Sequence, residues 1–201
     1  MIRCIALDFG GVLVQINPMW ADALEQAGFP RQELGHLVDF PGSDPLGNGS
    51  WSEEKYLEEL AVYLGLPVED AEKVHAAILK AEYPGMHALV LKLQSKGFKV
   101  AALSNTSAGH VATILKNCPA CAALDQVVAS YDVGFNKPER GIYEVFEQRL
   151  GFGPHEIVFF DDWDYNVAGA EACGWRAYRV DPTGDTAGQI AAFLRELKVL
   201  D

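Results

Sequence analysis

The stretch Ile157-Val158-Phe159-Phe160-Asp161-Asp162-Trp163-Asp164 places an acidic cluster directly after a run of large apolar residues. A short run of this kind indicates a strand that is covered on both faces, as in a parallel sheet. Neighbouring carboxylates at the end of such a strand repel one another unless a cation lies among them. The stretch therefore predicts a buried parallel strand whose carboxyl end carries a cation site.

Apolar runs and helical patterns alternate over most of the chain. Strands are predicted at residues 4–9, 98–103, 126–130, 157–160 and 175–180. Between these runs, apolar residues recur with the i, i+3, i+4, i+7 spacing of helices that pack on a sheet. The alternation predicts an α/β fold, in which a Rossmann-like parallel sheet is flanked by helices on both faces.

Residues 15–83 interrupt this alternation, because they contain no convincing strand. Three helical faces are predicted instead, the first around Trp20, the second around Leu60 and the third made of Val74, Ala77, Ile78 and Ala81. Residues 39–49 are dense in turn-forming residues, which predicts a mobile loop. We therefore expect an α/β core domain made of residues 1–14 and 84–201, and a small inserted α-helical cap domain made of residues 15–83.

The composition limits the partners that the chain can bind. Of its 201 residues, 49% are hydrophobic and 22% are charged, and the formal net charge is −12. These fractions are typical of a globular protein and exclude disordered, collagen-like and coiled-coil classes. An acidic chain repels phosphate backbones, so neither nucleic acid nor a membrane is expected as a partner. An anionic ligand would have to be bound through a local cation.

The sequence contains no predicted membrane span, because its longest stretch without a formal charge, residues 100–115, is short and contains polar residues. Its first residues do not resemble a secretory signal, since Asp8 ends a very short apolar run. The four cysteines are therefore expected to be reduced thiols in a cytoplasmic protein. The oligomeric state stays open between monomer and dimer.

Polar residues follow the predicted strands at the edge where an open α/β sheet binds its ligands. A carboxylate, a hydroxyl, an ammonium and an acidic pair come at successive strand ends: Asp8, Ser104 with Asn105, Lys137, and Asp161-Asp162 with Asn166 just beyond. Each of these residues alone is more often a helix cap or a surface group than a catalyst. Their combination at successive strand ends favours one shared site.

Phosphoryl transfer is the chemistry that these residues favour. We expect Asp8 to attack phosphorus and form an aspartyl-phosphate, which divides one difficult displacement into two easier ones. A divalent cation between Asp8 and Asp162 would neutralise the nucleophile and the substrate oxygens. Oxygen ligands without an accompanying set of His and Cys favour Mg²⁺ over zinc.

The phosphoryl oxygens need donors as well as the cation. Ser104 and Lys137 are expected to bind them and to act in catalysis together with Asp8. Backbone N–H groups near Phe9 and Gly10 would assist.

The chain resembles the haloacid dehalogenase-like (HAD) hydrolase superfamily over nearly its whole length. Four ordered segments carry the resemblance: Asp8-Phe9-Gly10-Gly11-Val12-Leu13, Leu103-Ser104-Asn105-Thr106, Lys137-Pro138-Glu139 with Ile142-Tyr143, and Phe160-Asp161-Asp162 with Asn166. The insertion after the first segment is similar to the helical cap of one class of this superfamily. The likeness is greatest to the small branch that contains glucose-1-phosphate phosphatase and the N-terminal phosphatase domain of epoxide hydrolase.

The resemblance implies a HAD-like phosphatase that acts on a small phosphorylated metabolite. Its nucleophile would be Asp8, and its magnesium ion would be held by Asp8, the carbonyl of Gly10 and Asp162, with Asp161 and Asn166 supporting these ligands from outside. The residues expected to bind phosphate are Phe9, Gly10, Ser104, Asn105 and Lys137.

The chain departs from the superfamily's pattern at Gly10, where typical phosphatases carry a second Asp that serves as general acid and then as base. The metal role of this position needs only a backbone carbonyl and is retained. The proton-transfer role is lost, and a positioned acid–base group contributes about 10²–10⁴ in rate. The expected substrate therefore has a good leaving group, as in an anomeric sugar phosphate, an aryl phosphate or an acyl phosphate.

Two other classes of function stay open. Dehalogenases and phosphonatases, which cleave carbon–halogen or carbon–phosphorus bonds, also lack the second Asp. Dehalogenation uses no metal, which would leave the acidic pair unexplained, and phosphonate cleavage would need a lysine from the insertion. A catalytically weak phosphate-binding or regulatory module is the other alternative.

The lost acid generates a prediction about leaving groups. Across a series of phosphomonoesters, the rate should fall steeply as the pKa of the leaving alcohol rises, because no group at Gly10 protonates the departing oxygen. The measurement is kcat/KM plotted against leaving-group pKa. A flat plot would show that another group supplies the proton.

Overall fold

The computed structural model describes all 201 residues and contains a parallel sheet of five strands in the order β5-β4-β1-β6-β7. The seven strands of the chain are β1 (Cys4–Leu7), β2 (Val14–Ile16), β3 (Leu79–Glu82), β4 (Lys99–Ser104), β5 (Gln126–Ala129), β6 (Ile157–Asp161) and β7 (Arg176–Arg179). Each of the five strands predicted from the sequence is present, with bounds that differ by one or two residues. The α/β prediction is confirmed.

Eleven α-helices accompany the strands. They are α1 (Trp20–Gln26), α2 (Ser43–Gly47), α3 (Glu53–Leu64), α4 (Val68–Ala76), α5 (Met86–Ser95), α6 (Ala108–Asn117), α7 (Pro119–Ala122), α8 (Ser130–Val133), α9 (Arg140–Leu150), α10 (Asp164–Ala172) and α11 (Thr186–Glu196). None of them combines the length and the apolar character that crossing a membrane would require.

Alternate residues of β1 face opposite layers of helices, as the pleat of a strand requires. Ile5 and Leu7 belong to a hydrophobic cluster that includes residues of α5, α6 and α11. Cys4 and Ala6 belong to a second cluster, which includes residues of α9 and α10. All four side chains are fully buried. Burial of a large apolar side chain contributes about 1.5–3 kcal/mol, so these two layers hold the sheet rigidly.

The register of the sheet brings the strand ends together. Leu7 of β1 pairs with Ala102 of β4 on one side and with Phe160 of β6 on the other. The residues that follow these three positions in the chain therefore emerge side by side at one edge. This edge carries Asp8 and Asp161, and Ser104 ends the neighbouring strand.

The prediction that residues 15–83 contain no strand is wrong. β2 and β3 pair antiparallel at the two ends of this segment. Helix α4 ends at Ala76, so Val74 and Ala81 do not share a helical face. The short apolar run that includes Ile78 fits a strand as well as a helix, and pairing with β2 decided between them.

The helices between β2 and β3 have a hydrophobic cluster of their own, which includes Trp20, Leu60 and Val74. Part of the loop predicted at residues 39–49 is helical, because Ser43–Gly47 forms α2. This segment packs on the rest of the chain, since the Asn136 side chain donates a hydrogen bond to the Asp44 carbonyl at 3.1 Å. We call residues 15–83 the insertion.

Gly169 lets α10 approach the segment that carries Lys137. A Cβ added at Gly169 would lie 2.7 Å from the Pro138 Cβ and 2.9 Å from the Tyr143 hydroxyl. We expect Gly169→Ala to lower the free energy of unfolding by about 1–3 kcal/mol, although Ala normally stabilises a helix interior relative to Gly by roughly 1 kcal/mol. Urea unfolding measures the change.

Gly153→Ala is the matched control, because the added Cβ would meet nothing closer than 3.8 Å. Its effect should stay within about 0.5 kcal/mol. A Gly169→Ala protein as stable as the control would show that α10 has room to move.

Candidate active site

Asp8 lies at the carboxyl end of β1 and is only 7% exposed. Its Oδ1 accepts a hydrogen bond from the Phe9 N–H at 2.7 Å. The Lys137 ammonium lies 2.9 Å from the same oxygen. One oxygen of the carboxylate is therefore anchored by two donors, which fixes the orientation of the group.

Lys137 connects Asp8 to the acidic pair. Its buried Nζ donates to Asp161 Oδ2 at 2.6 Å. Its backbone is held by Asn105, whose Oδ1 accepts the Lys137 N–H at 2.7 Å and whose Nδ2 donates to the Lys137 carbonyl at 2.9 Å. The side chain of Asn105, a residue predicted to bind phosphate, thus positions the lysine.

Asp161 is fully buried, and both of its carboxylate oxygens accept hydrogen bonds. Asn166 Nδ2 donates to both carboxylate oxygens, at 3.0 and 3.1 Å, and the Trp163 N–H donates to Oδ1 at 2.9 Å. The Asn166 carbonyl in turn accepts the Tyr143 hydroxyl at 2.8 Å. Asp161 therefore serves to hold Lys137 in place.

Three carboxylates converge beside this lysine. Oxygens of Asp8, Asp161 and Asp162 lie within 4.8 Å of one another. The Lys137 ammonium is the single cation in contact with them, so two negative charges are left uncompensated when all three carboxylates are ionised. Burial and the neighbouring carboxylates raise the pKa of Asp162 to about 7. Burial raises the pKa of Asp8 to about 6, although Lys137 and Ser104 lower it.

The protonated state of Lys137 is stabilised by its carboxylate neighbours. Burial lowers the pKa of Lys137, but the Asp161 and Asp8 carboxylates outweigh this effect and raise it above the ordinary value. The ammonium therefore stays charged at neutral pH. The oxygen donors and the surplus of two negative charges fit a divalent cation such as Mg²⁺.

Gly11 is a structural requirement of the site that the sequence did not reveal. A Cβ at this position would lie 2.5 Å from Asp162 Oδ2, and the residue has a φ of 72°. Any side chain here would displace the Asp162 carboxylate. The Gly10-Gly11 pair indicates a turn, but the sequence does not indicate that this turn packs against Asp162.

Gly10 faces apolar surroundings. A Cβ added there would lie 3.3 Å from Ile16 Cδ1. No acid–base group from this position reaches the site, and the neighbouring side chain is aliphatic. The absence of the second Asp at position 10 is therefore consistent with the aliphatic surroundings of this residue.

A cavity of about 580 Å³ opens over the carboxylates. The site residues that the sequence predicts all line it, except for Asp161, which lies beneath it: Asp8, Phe9, Gly10, Ser104, Asn105, Lys137, Asp162 and Asn166. The insertion contributes Trp20, Leu46 and Asn48 to the walls. Asn17 of the insertion does not line the cavity, because its Nδ2 donates to Gln26 Oε1 and to the Ala77 carbonyl.

Three histidines line the cavity, and no pattern in the sequence indicates that they lie there. The His36 ring packs edge-on against Trp163, with centroids 5.1 Å apart. His75 of the insertion stacks on His110 of α6 at 4.1 Å. These residues are far apart in the chain and have no motif spacing, so only the packing of the insertion brings them to the site.

The family model of haloacid dehalogenase-like hydrolases matches residues 2–174. A stretch of 81 residues is 37% identical to Phosphatase MT3486 of Mycobacterium tuberculosis and covers 38% of this chain and 37% of that phosphatase. The chain thus spans well under two thirds of that relative's length.

Two solved structures share the fold. A HAD family enzyme from Bacteroides thetaiotaomicron, in complex with magnesium and inorganic phosphate, superposes with a TM-score of 0.75 at 20% identity and covers 92% of this chain and 97% of its own. An L-2-haloacid dehalogenase superposes with a TM-score of 0.67 at 21% identity and covers 96% of this chain and 100% of its own.

The uncompensated charge predicts an unusual pH dependence of stability. The raised pKa values of Asp8 and Asp162 mean that the metal-free folded protein binds more protons than the unfolded chain between about pH 4 and pH 7. The contribution of these groups to stability is therefore lost as the pH rises through this window. We expect the melting temperature of the metal-free protein to be lower at pH 8 than at pH 5.5.

Asp162→Asn is the matched variant for this measurement. It removes one of the repelling charges, so at pH 8 without metal it should melt at least about 3 °C above the wild-type protein. Adding Mg²⁺ should raise the melting temperature of the wild-type protein more than that of the variant. An Asp162→Asn protein that is less stable than wild type without metal would contradict this account of the site.

Proposed function

We propose that this chain, which belongs to the haloacid dehalogenase-like hydrolases, hydrolyses a small phosphomonoester with Mg²⁺ through an aspartyl-phosphate on Asp8. The observation that carries the proposal is the anchored Asp8 carboxylate beside a carboxylate cluster with two uncompensated negative charges. A nucleophile and a cation site at the floor of one cavity are what phosphoryl transfer requires.

Asp8 is the nucleophile in this mechanism. Its Oδ1 is occupied by Lys137 and by the Phe9 N–H, so the attack is assigned to Oδ2. A new bond forms between Oδ2 and phosphorus while the bond from phosphorus to the leaving oxygen breaks. Water then attacks the aspartyl-phosphate, which releases phosphate and restores the carboxylate.

Asp8, the Gly10 carbonyl and Asp162 would hold the metal ion, with Asp161 and Asn166 supporting them from outside. When bound, Mg²⁺ supplies positive charge that offsets the repulsion between the carboxylate and the phosphoryl oxygens. The surplus negative charge of the cluster is the reason that these residues fit a divalent ion.

The phosphoryl oxygens would be bound by the Lys137 ammonium, the Ser104 hydroxyl and backbone donors. The Phe9 N–H already donates to Asp8. The N–H groups of Gly10 and Asn105 donate to no protein acceptor and line the cavity, so they are the backbone donors of choice. Donors held in place before the reaction stabilise developing negative charge without reorganisation.

The leaving oxygen departs without a proton from position 10. Ile16 fills the space next to Gly10, so the reaction depends on an alcohol that is stable as an anion or is protonated by water. This supports the preference for an anomeric sugar phosphate or a similar good leaving group. The residues of the insertion would form a cap domain over the substrate and exclude bulk water.

The alternatives have weaker support. The dehalogenase likeness concerns the fold, and metal-free chemistry would leave the carboxylate repulsion without compensation. Phosphonate cleavage needs a lysine from the insertion, but Lys55, Lys73 and Lys80 do not line the cavity. A binding module without turnover is distinguished by assay.

The test is hydrolysis of p-nitrophenyl phosphate with and without Mg²⁺. We expect turnover that requires the ion, and a loss of at least about 10³-fold in kcat for Asp8→Asn, because the amide is not a nucleophile. Asp22→Asn is the control, since this partly exposed residue lies outside the cavity and forms a surface ion pair with Arg31. Phosphate binding without any turnover in the wild-type protein would favour the binding module.

A further inference from the structure

The cavity over Asp8 contains one basic side chain of lysine or arginine type, which is Lys137. Its ammonium is already in contact with Asp8 at 2.9 Å and with Asp161 at 2.6 Å. The reacting phosphoryl group would share this charge. No second cation of this kind is available for an anionic group elsewhere in the ligand.

The three histidines of the cavity do not replace this missing cation. Burial lowers the pKa of His75 well below 6.5, and the nearby His110 lowers it further. Burial also lowers the pKa values of His110 and His36. His110 Nε2 lies 3.2 Å from the His75 carbonyl, and both nitrogens of His75 are buried without a partner. The three imidazoles are therefore uncharged at neutral pH and add no positive charge to the cavity.

The rim and the walls of the cavity also disfavour negative charge. Asp44 and Glu139 line the cavity and are exposed, so two acidic residues lie at its rim. The insertion adds the apolar side chains of Trp20, Leu46 and Ile78. An anion placed against the aliphatic side chains of Leu46 and Ile78 loses hydration without gaining a partner.

We propose that the substrate carries no negative charge outside its reacting phosphoryl group, so that bisphosphates, phosphorylated acids and nucleotides with further phosphates are excluded. This inference rests on the proposed phosphatase function and narrows its substrate class to monophosphate esters of uncharged alcohols or phenols. Discrimination arises because an added anion would be buried opposite Asp44 and apolar walls.

The test uses two esters of the same shape, 4-carbamoylphenyl phosphate and 4-carboxyphenyl phosphate, which differ by one charge. With Mg²⁺ present, we expect the wild-type protein to have a kcat/KM at least about tenfold higher for the carbamoyl ester. The ratio of the two values is then compared between variants, which removes the intrinsic difference between the leaving groups.

Asp44→Lys should reduce this ratio by about tenfold, because it reverses the repelling charge. Asp44→Asn should reduce the ratio by less, because it only removes that charge. Glu171→Lys is the control: it makes the same charge change on the exposed surface of α10, outside the cavity, and should leave the ratio unchanged. Melting temperatures of the variants verify that they are folded.

Each outcome is distinct. Equal use of the two esters by the wild-type protein, or a ratio that Glu171→Lys changes as much as Asp44→Lys, would overturn the inference and leave the phosphatase function standing. An unchanged ratio in folded Asp44→Lys would also overturn it. Absence of Mg²⁺-dependent phosphate release from both esters and from p-nitrophenyl phosphate would contradict the phosphatase function itself.

Discussion

The Lys137 ammonium, held between Asp8 and Asp161, is the interaction on which the site depends. Its contacts of 2.9 and 2.6 Å join the ends of two adjacent strands through a residue from a third part of the chain. All three groups are almost fully buried. Removing one partner of a buried charge pair costs about 3–5 kcal/mol, because the other charge is left without compensation. Asn105 and Asn166 hold this arrangement by bonding the backbone of the lysine and the carboxylate of Asp161.

The contacts of Lys137 compensate only part of the negative charge that the fold brings together at the strand ends. Asp162 completes a cluster whose repulsion raises carboxylate pKa values, and Gly11 permits its close approach. The protein therefore holds a destabilising arrangement in a rigid frame, as functional sites commonly do. The rigidity comes from the two apolar layers on either face of the sheet. A cation bound among these carboxylates would relieve their repulsion, and this relief would add to the affinity for the cation.

The core and the insertion contribute different chemistry to one cavity. The strand ends provide the charged groups around Asp8, and the insertion provides mostly uncharged side chains such as Trp20 and His75, together with Asp44 at the rim. The positive charge of Lys137 thus lies at the floor, where phosphorus would react. In the proposed function, the upper walls would contact the organic part of the substrate, so this segment is where selectivity between esters would arise.

The sequence by itself determined the α/β class, the five parallel strands and the residues that line the floor of the site. Apolar runs define buried strands whatever their neighbours are, and parallel strands deliver their carboxyl ends to one edge. The tertiary structure alone decided that residues 79–82 form a strand, that Asn105 bonds Lys137, and that His36, His75 and His110 reach the cavity. These features depend on contacts between distant segments, and a local pattern of residues carries no information about which distant partner it meets.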